Sequence, residues 1–237
     1  MVDQDEHLSK ISAFDRNEPK LFWITRNMDF TDWESAGTPR ALFVSAPDGH
    51  GRQELCRHII DRAKGKASHS DSVVLYFFSS SATKLWRPIS LIHTLLHQVV
   101  CARDRDANSI TAAFLCSLVY RQFHRSSNLQ TPLNFREGDS PDNTVQKILV
   151  APDNDLVEAL GEAIKHAGIQ QLSLVVSGTS EGIACSLFEQ IREATPKSEV
   201  LLTSQRPFGN IPHDVTYIEH DKERKGLYFP FYHLDPS

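Results

Sequence analysis

The chain has 237 residues, 40% hydrophobic and 23% charged, with 13 Phe, which suits one sizeable globular domain or at most two small ones. A net charge of -5, with the basic residues scattered, gives no field that would draw nucleic acid or anionic lipid, so neither is an expected partner. Four widely separated cysteines (Cys56, Cys101, Cys116, Cys185), a polar start "MVDQDEHLSK" and no apolar run near the ~20 residues of a membrane span argue against zinc ribbons, secreted disulfide scaffolds, a signal peptide and a membrane protein, and set the expectation of a reduced, cytoplasmic one.

In chain order, residues 1–20 read as polar and loose. "KLFWITRNMDFTDWES" (20–35) carries Leu21, Phe22, Ile24, Phe30 and Trp33, enough to dock a short helix or turn on a core. "ALFVS" (41–45) suits a buried parallel strand. A helix is expected over Gln53–Arg62, then a loop at "KGKASHSD". "VVLYFF" (73–78) is the strongest strand signal, β-branched or aromatic at every position but Leu75. A helix starts near Pro88, with Ile89, Ile92, Leu95, Leu96 and Val99 at helical spacing, and another covers 110–123. Residues 125–145 read as a long surface loop or insertion. "APDNDLVEALGEAIKHAG" is a helix with Asp153 or Asn154 at its cap and Gly168 at its end. Strands follow at 170–177, 198–204 and, as a last edge strand, 215–220, with a helix at "GIACSLFEQIREA" between the first two. Alternating strands and helices indicate an α/β fold with a mostly parallel sheet between helical layers.

The strand "ALFVS" runs into "SAPDGHGRQEL" (45–55) and then a helix, the setting in which proteins hold phosphates. Several stretches in order carry a resemblance to the NACHT class of P-loop NTPases, in the form found in fungal NOD-like receptors and heterokaryon-incompatibility proteins. "FWITRNMDFTDWES" resembles that family's lead-in. "ALFVSAPDGHGRQEL" stands at the Walker A segment, and "VVLYFFSSSATKLWRPISLIHTLLHQVV" is similar to the second strand and its helix. "LSLVVSGTSEG" occupies the Walker B place, and "VLLTSQRP" resembles the strand ending in Thr-Ser-Arg-Pro. The resemblance covers about residues 21–208. It implies a three-layer P-loop NTPase-like fold, with a lead-in at 1–37, the NACHT-like domain at 38–220 and a tail at 221–237.

The departures from the pattern bear on function. A working loop reads G-x-x-x-x-G-K-[ST]; here the places hold Ala46, Pro47, Asp48, Gly49, His50, Gly51, Arg52 and Gln53. Gly49 and Gly51 keep backbone N–H groups for an anion, so Gly49, His50, Gly51, Arg52 and Gln53 are the candidate nucleotide-binding residues. Asp48 puts a carboxylate on the phosphate path, and the planar fork of Arg52 does not replace a compact ammonium. Gln53 has no hydroxyl for magnesium. Ser177 stands for the magnesium-directing aspartate and Ser180 for the second acid, leaving Glu181. Thr203 and Ser204 are sensor-like, and "TSQRP" leaves Gln205 or Arg206 in the sensor position. The resemblance thus implies a non-catalytic or very weakly nucleotide-binding regulatory or interaction module. It needs no cofactor and no metal, holds at best weak ATP or GTP without magnesium, and has protein partners or self-association as its interactions.

Enzymatic alternatives remain on the same residues. A weak ATPase or GTPase would use Arg52 and Glu181. "GTSEG" (178–182) fits the G-x-S-x-G elbow of α/β-hydrolases, with Ser180 as nucleophile, Asp214 or Asp221 as acid and His220 or His233 as base; the short chain after Ser180 argues against it. His93 and His97 could face one metal but lack the glutamate of H-E-x-x-H and a third ligand, so two helix histidines is the plainer reading. His50 could meet a phosphate when protonated, though a plain loop residue is the simpler reading, and Trp23, Trp33 and Trp86 read as packing.

Overall fold

The computed structural model describes residues 4–36, 40–67, 72–79, 88–102 and 153–220. The helix expected at 110–123, the loop at 125–145, the tail, Trp86, Cys116, Asp221 and His233 lie outside them.

The described elements are α1 (Gln4–Lys10), a 3-10 turn (Pro19–Leu21), α2 (Phe22–Thr25), α3 (Met28–Ser35), β1 (Ala41–Ser45), α4 (Arg52–Ala67), β2 (Ser72–Phe78) and α5 (Pro88–Cys101). They continue with α6 (Asp153–His166), β3 (Gln171–Ser177), α7 (Glu181–Ala194), β4 (Ser198–Ser204) and β5 (Val215–Glu219). The strands form one sheet in the order β2-β3-β4-β1-β5, and every neighbouring pair is parallel. An α/β fold follows, with helices on both faces.

The period-2 alternation of each strand divides the core into two layers. Ala41, Phe43, Leu75, Phe77, Leu172, Leu174, Val176, Val200 and Leu202 face α5, α6 and α7. Leu42, Val44, Tyr76, Phe78, Val175 and Leu201 face α4 and the N-terminal helices. The helix α4 offers Leu55, Cys56, Ile59, Ile60 and Ala63 to that second layer, a stripe at helical spacing. Each fully buried large aliphatic there contributes about 1.5–3 kcal/mol relative to exposure.

The lead-in motif has a physical explanation. Asn27 caps α3, its side-chain oxygen accepting from the Phe30 N–H at 3.2 Å. Phe30 and Trp33, one turn apart, are then buried with Leu21 and Ile24 against the sheet. Two expectations need correction. Residues 1–20 are not loose throughout: α1 buries Leu8, with Ile11 just beyond it, and Gln4 Oε1 accepts from the Phe78 N–H at 2.8 Å. Nor does the helix stop at Arg62 before a loop. It runs through Gly65 to Ala67, and Lys64 donates to the Tyr76 hydroxyl at 3.0 Å, a contact that helps offset the cost of a glycine there, about 1 kcal/mol.

The edge strand β2 is blunted by side chains. The Gln98 amide of α5 accepts from the Tyr76 N–H at 2.8 Å and donates to the Tyr76 carbonyl at 2.9 Å, as a neighbouring strand would. On the opposite edge, β5 lies beside β1. Among the described residues no helix is long and apolar enough to cross a membrane.

Candidate functional site

In a parallel sheet all strands point the same way, so the loops after β1, β3 and β4 meet at one edge, and ligands of such sheets bind outside these carboxyl ends. The strand β4 sits between β1 and β3, bringing residues 46–51, 178–180 and 205–214 together.

The loop after β1 starts with the Ala46 N–H donating to the Ser204 carbonyl at 3.1 Å. It turns through Gly49 (φ 80) and Gly51 (φ 79), left-handed positions that suit only glycine at little cost. A Cβ on Gly49 would meet open space; one on Gly51 would lie 2.0 Å from Leu21 Cδ2. The lead-in therefore packs directly under the loop. Trp23 reinforces this, its indole N–H donating to the His50 carbonyl at 3.0 Å. The His50 ring lies against His220 with centroids 4.2 Å apart, and Trp23 meets His220 edge-on at 5.0 Å.

The first residue of α4, Arg52, is folded back into its own loop. Its guanidinium donates from Nη1 to the Ala46 carbonyl at 3.1 Å and from Nη2 to Asp48 Oδ1 at 2.7 Å. Its side chain is 7% exposed, whereas that of Asp48 is 66% exposed. Burial pushes the Arg52 guanidinium below its usual range, while Asp48 and Cys56 pull it back. Its Nε is buried without a hydrogen-bond partner among the described residues. The other Asp48 oxygen, Oδ2, accepts from Gln205 Nε2 at 2.7 Å. Gln53, on the first turn of α4, is half-buried.

Beneath the loop, Cys56 is fully buried beside Arg52, Thr203 and Ser177. Burial raises its thiol to about 12, against the opposing pull of Arg52 and the two hydroxyls. Ser177 and Thr203 are thus buried at the ends of β3 and β4, facing a thiol. Ser204 Oγ accepts from the Arg206 N–H at 3.1 Å, and Arg206 is exposed. Of the two candidates for the sensor position, Gln205 is the one that reaches Asp48.

The "GTSEG" stretch is a turn tied to β4. Gly178 (φ 84) and Thr179 both donate their N–H groups to the Thr203 carbonyl at 2.9 Å. Ser180 is the exposed N-cap of α7 with φ -87 and ψ 157, ordinary extended backbone rather than the strained turn of a nucleophile elbow. Of its expected partners, Asp214 pairs with Arg192 at 2.5 Å and His220 packs at a tilt against His50. Glu181 accepts from the Asn210 N–H at 2.6 Å and from Asn210 Nδ2 at 3.0 Å. The Gly209 and Asn210 N–H groups hold its carboxyl below the usual range. It anchors the loop after β4 rather than facing residues 46–52.

His93 is partly buried on α5, and burial together with His97 lowers its pKa. His97 lies 3.7 Å from Cys101 Sγ, and no group of three potential metal ligands exists among the described residues. Sequence reasoning placed Gly49, His50, Gly51 and Arg52 in one loop and missed Gln205–Asp48; only the four-residue spacing of Asp48 and Arg52 hinted at their pairing.

No curated protein matches the chain. The family model described as nephrocystin 3, N-terminal, matches residues 21–205. That match begins at Leu21, which touches the loop glycine, and ends at Gln205, which bonds Asp48. The chain therefore belongs to the nephrocystin 3 N-terminal family.

Proposed function

We propose that this chain is a NACHT-like regulatory or interaction module, related to those of fungal NOD-like receptors, that binds nucleotide weakly and does not turn it over. The observation that carries this reading is Arg52. The cation in the place of the phosphate-binding lysine is buried, and both its terminal nitrogens are already engaged, by Ala46 and Asp48. Phosphoryl transfer depends on positioned charge, and removing one preorganised donor costs roughly 10²–10³ in rate. Here the cation is engaged internally, Gln53 has no hydroxyl, Ser177 faces the Cys56 thiol, and Glu181 holds Asn210. What remains is a domain with an ordered α/β core and a packed lead-in, suited to contacts with protein partners or with itself.

Two assays on the purified chain test this. ATP and GTP hydrolysis should be indistinguishable from background, and a fluorophosphonate should leave Ser180 unlabelled. Magnesium-dependent turnover that disappears in Gly51→Glu would overturn the reading in favour of an NTPase; stoichiometric labelling of Ser180 would favour a hydrolase.

A further inference from the structure

We propose that Asp48 is a built-in competitor for the anion position of the loop after β1, and that its departure is relayed to residues 205–214. This rests on the reading of that loop as a weak anion site. Arg52 has two acceptors of different kinds. The Ala46 carbonyl is backbone, on a residue whose N–H is tied to the Ser204 carbonyl; the Asp48 carboxylate is a side chain, 66% exposed, and open to replacement. A phosphoryl oxygen can take the same Nη2 donor that Asp48 Oδ1 now occupies, and a phosphoryl group carries more charge. The turn is open on the Gly49 side: apart from its own chain neighbours, nothing lies within 4 Å of where a Gly49 Cβ would stand.

The exchange has a consequence because Asp48 is shared. Its Oδ1 serves Arg52 at 2.7 Å and its Oδ2 serves Gln205 at 2.7 Å. An anion that takes Arg52 releases the carboxylate, and Gln205 then loses its acceptor. The rest of that segment has other partners: the Arg206 N–H donates to Ser204 Oγ, the Phe208 N–H to the Tyr217 hydroxyl, and the far end is held on α7. Asn210 donates to Glu181, its carbonyl accepts from Cys185 at 3.3 Å, and Asp214 pairs with Arg192. Among the described residues Gln205 is the one of this segment that bonds Asp48, so occupancy loosens residues near 205 while the far end stays attached. The fold thus contains an autoinhibitory contact whose release is read on a neighbouring loop.

The test uses the whole chain, sodium tripolyphosphate as probe, calorimetry at low ionic strength and hydrogen exchange of peptides covering 205–214. Asp48→Ala removes the competing charge and the Gln205 acceptor together from an exposed position, and Gln205→Ala cuts the relay alone. Asp48→Ala should bind tripolyphosphate about tenfold more tightly than the unmodified chain. Without ligand it should show the raised 205–214 exchange that the unmodified chain reaches only at saturation. Gln205→Ala should raise that exchange with affinity changed by no more than about threefold. Unchanged affinity in Asp48→Ala would overturn the competition. Tighter binding with unchanged 205–214 exchange in both variants would overturn the relay. Failure of every variant to bind the probe at millimolar concentration, with exchange still raised in both, would overturn the anion-site reading on which the competition rests.

Discussion

Gly51→Ala tests whether the lead-in and the loop are one packed unit. Two costs add at this position. A non-glycine residue at φ 79 costs about 1–2 kcal/mol. The new Cβ would also stand 2.0 Å from Leu21 Cδ2 and 3.1 Å from its Cγ, and Leu21 is wholly buried, so relief needs a repacked core at about 1–3 kcal/mol. The sum is about 2–5 kcal/mol. Gly49→Ala is the internal control, with the same hand of backbone (φ 80) but open space, so only the first cost applies, about 1–2 kcal/mol. Urea unfolding followed by circular dichroism measures both. Leu21→Ala alone should cost about 2–5 kcal/mol, and combined with Gly51→Ala the loss should fall short of the sum by about 1–3 kcal/mol. Equal costs for the two glycine variants, or strict additivity with Leu21→Ala, would refute the packing of the lead-in under the loop.

Three further outcomes are expected. Cys56, buried and with its thiol raised to about 12, should resist a thiol reagent in the native chain at pH 8, while exposed Cys101 reacts; equal labelling by mass spectrometry would contradict the burial of the site floor. Gln98→Ala should destabilise by about 1–3 kcal/mol in denaturant unfolding, because the Tyr76 N–H and carbonyl at the sheet edge lose their partner, and a loss within 0.5 kcal/mol of zero would mean water replaces the amide. For Glu34, burial raises the carboxyl pKa but the Arg16 and His58 partners outweigh it, so the net shift is downward. A depressed folded pKa gives stability that is present above the unfolded value and lost as pH falls through the folded one. The unmodified chain should therefore lose more stability than Glu34→Gln on going below the ordinary carboxylate range, and parallel pH curves would contradict the pairing.

The strands were legible because their signal is local. β4 at 198–204 has the expected bounds, and Val73–Phe78 needed only Ser72 added, since continuous apolar runs suffice for strands covered on both faces. The end of α4 was not legible, because Lys64, Gly65 and Lys66 read as loop until Lys64 is seen on Tyr76 across the fold. The docking of α1 was hidden for the same reason: its hold on Phe78 joins residues 74 apart in the chain. At the site, residue identity showed where the loop departs from the pattern it resembles. It did not announce where the substitutes go. Arg52 could equally have faced solvent, and its return to Ala46 follows from burial that no local pattern encodes. Glu181 kept its identity but serves Asn210, a partner set by the loop after β4.

Isothermal titration of the whole chain with ATP, run with magnesium and again with a chelator, measures most directly whether Arg52 is already engaged by its own loop. With Arg52 paired to Asp48, the proposed reading predicts a dissociation constant on the order of 0.1–1 mM, about 4–5.5 kcal/mol of binding free energy, the same in both titrations. Micromolar affinity that collapses when the chelator removes magnesium would contradict the account and make the domain a metal-dependent nucleotide switch.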